Sequence, residues 1–156
     1  MHHLSLREVV CYFYNMENNN IDIRALIGTS EKETHSQLLS LGYTFHEKVV
    51  SPHQNPSLEK QYISFYRIFD TQVVATIVKE KCLAIGVMAP EINEALKDWI
   101  EKNTQIDPNA KLRSPLPPGV HAEVRMDDYF WYSIRSGENV YNVSVTSKMP
   151  DHFVLK

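Results

Sequence analysis

Leu6, Val9, Val10, Phe13 and Tyr14 recur at three- and four-residue intervals, a spacing that predicts a helix over residues 4–16. The β-branched and aromatic content of the same run also suits a strand. Asn18-Asn19-Asn20 breaks the pattern, and a short apolar piece, 21–27, is closed by Gly28. Ser30-Glu31-Lys32-Glu33 then reads as a capping box: the serine accepts from the backbone three residues on while the glutamate reaches back. It starts a helix that runs to about Leu41, stops at Gly42 and buries Leu38, Leu39 and Leu41.

Beyond Gly42 the period changes to that of strands. Tyr43, Phe45 and Val49-Val50 predict one strand, ended by a polar loop over 51–57 with two prolines. Residues 62–69 and 73–78 predict two more, and Glu80-Lys81 a tight turn into a fourth over 82–88. The later pair is apolar on both faces, which requires cover on both sides or a central place in a sheet. Pro90 opens a helix over 91–103 in which Ile92, Ala95, Leu96, Trp99 and Ile100 form one stripe opposite Glu94, Lys97 and Glu101. A loop over 104–119 holds four prolines, after which Val120, Ala122, Val124 and Met126 alternate with polar residues. Residues 129–135 and 140–146 predict a hairpin around Ser136-Gly137-Glu138-Asn139, and 153–155 a last short strand. Gly28, Gly42 and Gly137 fall where these helices and hairpins need punctuation.

The fold class expected is therefore α+β, a mostly antiparallel sheet with two or three helices packed on one face. One domain covers 1–156. Pro90-Glu91 and Pro150-Asp151 close the two strand groups alike, so a pseudo-repeat with halves about 21–89 and 90–156 stands beside chance similarity of two hairpins. The stretch Ile27-Gly28-Thr29-Ser30-Glu31-Lys32-Glu33, then Leu38-Leu39 and Leu41-Gly42, then a hairpin, resembles the helix-plus-hairpin unit of β-lactamase-inhibitor-protein-like and SmpA-like domains over about 60 residues. That resemblance implies helices on one face of an antiparallel sheet and a protein-binding role for the other face. It carries no catalytic residues, and the lipoprotein cysteine of the second group is missing near Met1.

Composition narrows the functional classes. A chain of 156 residues, 43% hydrophobic and 22% charged, is large enough for its own core without disulfide or metal. Its five glycines are too far apart for a phosphate-binding loop. The net charge is −3, and the cations are interleaved with acids, as in Lys79-Glu80-Lys81, which argues against nucleic acid as a partner. No apolar run has membrane-spanning length, and residues 1–8 lack the features of a secretory leader. Cys11 and Cys82 are too distant for metal-ligand spacing and are expected to be reduced core thiols in a cytoplasmic protein.

Candidate chemistry is sparse. His121 and Glu123 share one face of a predicted strand, with Asp127-Asp128 close behind, but without a second ligand pair they read as a solvated strand face. His35, His46 and His53 are spaced too widely for a zinc site, and no Gly-x-Ser-x-Gly turn is present. Tyr129-Phe130-Trp131-Tyr132 is more informative. With Phe130, Tyr132 and Ile134 facing the core, Tyr129, Trp131 and Arg135 project from the opposite face, and Tyr, Trp and Arg dominate binding hot spots. The alternative is a second core layer under a covering element, and Tyr62, Phe65, Tyr66 and Phe69 could extend either surface. The expected function is a non-catalytic protein-binding domain, of the inhibitor, immunity-protein or secretion-chaperone kind, using Tyr129, Trp131 and Arg135 and needing no cofactor or metal. Two rival readings are a small-molecule-binding or hydrolase-like enzyme with a His121, Glu123 and Asp128 site, and a self-associating subunit whose aromatic face makes a homodimer.

Overall fold

The computed structural model describes residues 23–51, 60–110 and 116–148. The helix expected over 4–16, Cys11, His53 and the strand expected over 153–155 lie outside the described residues. A single turn of 3-10 helix, Ile23–Leu26, leads to helix α1, Glu31–Ser40. Four strands follow: β1 (Thr44–Val50), β2 (Gln61–Ile68), β3 (Thr71–Val78) and β4 (Lys81–Ala89). Helix α2, Glu94–Asn103, precedes four more, β5 (Gln105–Ile106), β6 (His121–Met126), β7 (Phe130–Gly137) and β8 (Val140–Ser147). All eight join one antiparallel sheet in the order β1-β2-β3-β4-β8-β7-β6-β5. Each α-helix is thus followed by a four-strand meander, and the meanders meet at their last strands, β4 and β8.

Register assigns the faces, because cross-strand partners point the same way. Tyr66, Val73, Val87, Val143 and Ile134 form one buried row across five strands, and Ala75, Ile85, Val145 and Tyr132 form the next. Both helices cover this side. His35 of α1 meets Tyr66 and Phe45, and Trp99 of α2 lies 6.5 Å from Tyr132 between ring centroids. Arg24 ties the 3-10 turn to the second meander, its guanidinium 4.6 Å from the Trp99 ring centre and 5.3 Å from that of Phe130. The antiparallel α+β architecture expected from sequence is the one found, with two α-helices among the described residues.

Local chemistry accounts for the helix ends. Ser30 accepts from the Glu33 backbone N–H, as its capping box predicts, and Gly42 takes the left-handed conformation just past the end of α1. Leu38 and Leu41 are buried, but Leu39 is exposed, because it points away from the sheet. Helix α2 starts three residues later than expected: the Asn93 side chain accepts from the Leu96 N–H and sets the cap, leaving Glu91 and Ile92 in the approach. The β3–β4 turn is at Lys79-Glu80, one residue earlier than expected, with both residues in the left-handed region. Gly137 ends β7 without positive φ; a Cβ there would lie 3.0 Å from the Gly119 carbonyl oxygen, so close backbone approach rather than turn conformation selects it. The proline-rich stretch after α2 contributes β5, which hydrogen-bonds to the outer edge of β6.

Candidate functional site

Alternation along β7 places Tyr132 and Ile134 in the core and Trp131 and Arg135 on the opposite side of the sheet, with Trp131 40% exposed. Tyr129 is in the turn before β7, 63% exposed, and its carbonyl accepts from the Lys148 N–H. The Lys148 ammonium lies 5.9 Å from the centre of the Trp131 ring, so these two side chains form one rim of the face that neither helix covers, with Tyr129 in the adjoining turn.

Three cross-strand rows make up that open face. Ile63, Thr76, Ala84, Thr146, Trp131 and Met126 form the first, with a bulky residue near each end and small ones between. Phe65, Val74, Gly86, Ser144, Ser133 and Val124 form the second. The third runs Arg67, Gln72, Met88, Asn142, Arg135 and Ala122. Gly86 sits at the middle of the middle row, where a Cβ would come within 2.8 Å of the Ser144 hydroxyl oxygen. The centre of the face is therefore floored by the smallest side chains and flanked by larger ones. The two-sided apolarity of β3 and β4 reflects their inner positions: Val74, Thr76, Ala84 and Gly86 are only partly buried.

Comparison of the chain with family models, curated proteins and solved structures finds no match.

The His121, Glu123 and Asp128 set is not assembled as a site. His121 Nε2 is 2.9 Å from one oxygen of Glu123, and Arg125 donates to the other at 3.0 Å. Arg125 also donates to the hydroxyl and carbonyl oxygens of Thr104, where α2 ends. These residues face the helix side, partnered with Ser136, Ile134 and Tyr132 of β7, while Ala122, Val124 and Met126 face the open side. The expected solvated face is thus a polar clamp on the end of α2. Asp128 is exposed in the turn, away from this ladder; its neighbour Asp127 is the structural carboxylate.

Burial pushes the Glu123 carboxyl up, but hydrogen bonds from His121 and Arg125 outweigh it, and the group is held below the usual carboxylate range. A depressed folded pKa stabilises the fold fully above the ordinary carboxylate range and is lost as pH falls through that range to the folded value. The urea midpoint should fall as pH is lowered through and below the ordinary carboxylate range, and Glu123→Gln should flatten that slope while lowering the midpoint at neutral pH. An unchanged slope would remove the clamp.

A cleft of about 400 Å³ opens on the helix side beside Ser30, Glu31, His35, Phe45, Lys48 and Tyr66. The Tyr66 hydroxyl is 2.8 Å from His35 Nδ1, and burial, with the Glu31 charge behind it, pushes its pKa up to about 12. Lys48 and Glu31 pair at 2.6 Å across the entrance. Cys82, beneath, is fully buried with its thiol pushed up to about 12 by that burial. At neutral pH both groups keep their protons, so this chemistry is packing. His46 lines a separate surface with Thr44 and Arg67. Among the described residues no group of three His, Cys, Asp or Glu could hold a metal ion, and no helix is long and apolar enough to cross a membrane.

Sequence reasoning placed Trp131 and Arg135 on this face but did not place Arg67, Met88 and Gly86 there. It left Phe65 unassigned between two surfaces. Their common property is position on cross-strand rows, which local alternation does not encode.

Proposed function

We propose that this chain is a cytoplasmic, non-catalytic protein-binding domain, of the inhibitor, immunity-protein or secretion-chaperone kind, that receives its partner on the open sheet face through Trp131, Arg135 and the rim residue Tyr129. The observation that supports this is the asymmetry of the sheet. One face carries two helices and the core, whereas the other carries a half-exposed tryptophan, an exposed arginine and a floor of small residues with no covering element among the described residues. A large rigid aromatic beside an arginine is the residue pair that contributes most to interfaces, and a small-residue floor lets a partner approach closely. The resemblance of the α1 region to β-lactamase-inhibitor-protein-like units points to the same face.

An enzymatic role for His121 and Glu123 has less support, because both are committed to the clamp on α2. Replacing Trp131, Tyr129 and Arg135 with alanine should weaken recovery of an identified partner at least tenfold and leave the melting temperature nearly unchanged, since all three side chains are exposed. Undiminished recovery would reject the assignment.

A further inference from the structure

We infer that the open face recognises an acidic protein segment, held at two points by Arg67 and Arg135 from opposite sides of the β4–β8 seam. This rests on the binding reading above and adds the chemistry of the partner. Arg67 and Arg135 end the same stretch of row, separated by Gln72, Met88 and Asn142. Four strand spacings put their backbones about 19 Å apart. Both are exposed, and neither makes an ion pair among the described residues, not even with Asp70 or Glu138 in the adjoining turns. Lys148 adds a third cation beside Trp131, whereas the one acid among the described strand residues on this face is Glu47, on edge strand β1. On this face of a molecule of net charge −3, the three cations Arg67, Arg135 and Lys148 thus stand against one acid among the described strand residues. Such a reversal steers an acidic partner toward that face and repels basic ones.

Row chemistry selects among occupants. Guanidinium groups take carboxylates in two-pronged hydrogen bonds, and the Gln72 and Asn142 amides between them can both donate to and accept from the main chain of a segment laid across the strands. Met88, 43% exposed, offers an adaptable apolar contact at the middle. A second copy docking face to face would set cations against cations without enough acids to pair them. Nucleic acid needs a closely spaced cationic track, and here the two arginines stand at opposite ends of the row with no cation between them on it.

The test is a titration of isotope-labelled protein with three 12-residue peptides that share leucine positions and carry Glu, Lys or Gln at every other position, together with an eight-nucleotide oligothymidine. The Glu peptide should bind at least tenfold more tightly than the others, moving the amide resonances of Arg67, Met88 and Arg135. The double charge reversal Arg67→Glu, Arg135→Glu should transfer the preference to the Lys peptide while keeping the amide spectrum of a folded domain. Equal binding of the Gln or Lys peptide at this face would overturn the acidic specificity and leave the docking face standing. Tighter binding of the oligonucleotide would overturn the choice of partner class. Perturbations confined to the helix side, or no binding of any probe, would overturn both.

Discussion

Asp127→Ala is expected to destabilise the domain by about 3–5 kcal/mol, whereas Asp128→Ala next to it should change stability by less than about 0.5 kcal/mol. One oxygen of Asp127 accepts from the backbone N–H groups of Tyr129 and Phe130, both at 2.9 Å. The other accepts from the Tyr132 hydroxyl at 2.6 Å and lies 3.8 Å from the Arg24 guanidinium. A single carboxylate therefore closes the β6–β7 turn, fixes the largest fully buried side chain of the core and anchors the arginine that links the 3-10 turn to α2. Burial raises its pKa, but those donors and the Arg24 charge outweigh burial and hold it below the usual range, so its contribution is complete at neutral pH and lost in acid. Asp128 has no such partners and is exposed. Urea unfolding of the two variants measures the contrast; similar losses would mean that general turn charge, not this network, matters.

Gly86→Leu combined with Ser144→Ala is expected to abolish partner binding, by at least about a hundredfold, while the domain stays folded. The Gly86 position is near the centre of the open face, with three strands of the sheet on one side of β4 and four on the other. The nearest obstacle to a side chain there is the Ser144 hydroxyl, at 2.8 Å from an ideal Cβ, and truncating Ser144 removes it; the next atoms, at 3.6 and 3.7 Å, are ordinary contacts. Leucine then stands on the floor of small residues and holds a partner away from Trp131 on one row and Arg135 on another. Calorimetric titration of an identified partner, with circular dichroism as the folding control, measures the effect. Retained affinity would place the interface on the helix side or at an edge.

How much of this was legible in the sequence depended on the range of the interaction. The α1 start was legible because Ser30 and Glu33 interact over three residues, and the division of β7 into Tyr132 and Ile134 against Trp131 and Arg135 because a strand alternates. Which side of each strand faces the helices was less accessible. The β6 alternation was correctly placed, yet its apolar set faces outward, because Arg125 must reach Thr104 at the end of α2. Arg67 escaped notice for the same reason. Only the register through β3, β4 and β8 puts it in line with Arg135, and register over five strands is a property of the assembled sheet. Asp127 was visible as half of an acidic pair, but its partners Arg24 and Tyr132 come together only when the 3-10 turn packs against β7.

The central claim, that the open face is where a partner docks, is tested most directly by a photo-crosslinking side chain placed at Ser133, exposed in the middle row, and at Lys97 on α2 as the helix-side control, in the cell that makes the protein. The predicted result is one adduct at Ser133, identified by mass spectrometry, that is rebuilt from purified components and is lost in the Gly86→Leu, Ser144→Ala background. An adduct with the same partner from Lys97 and none from Ser133 would contradict it.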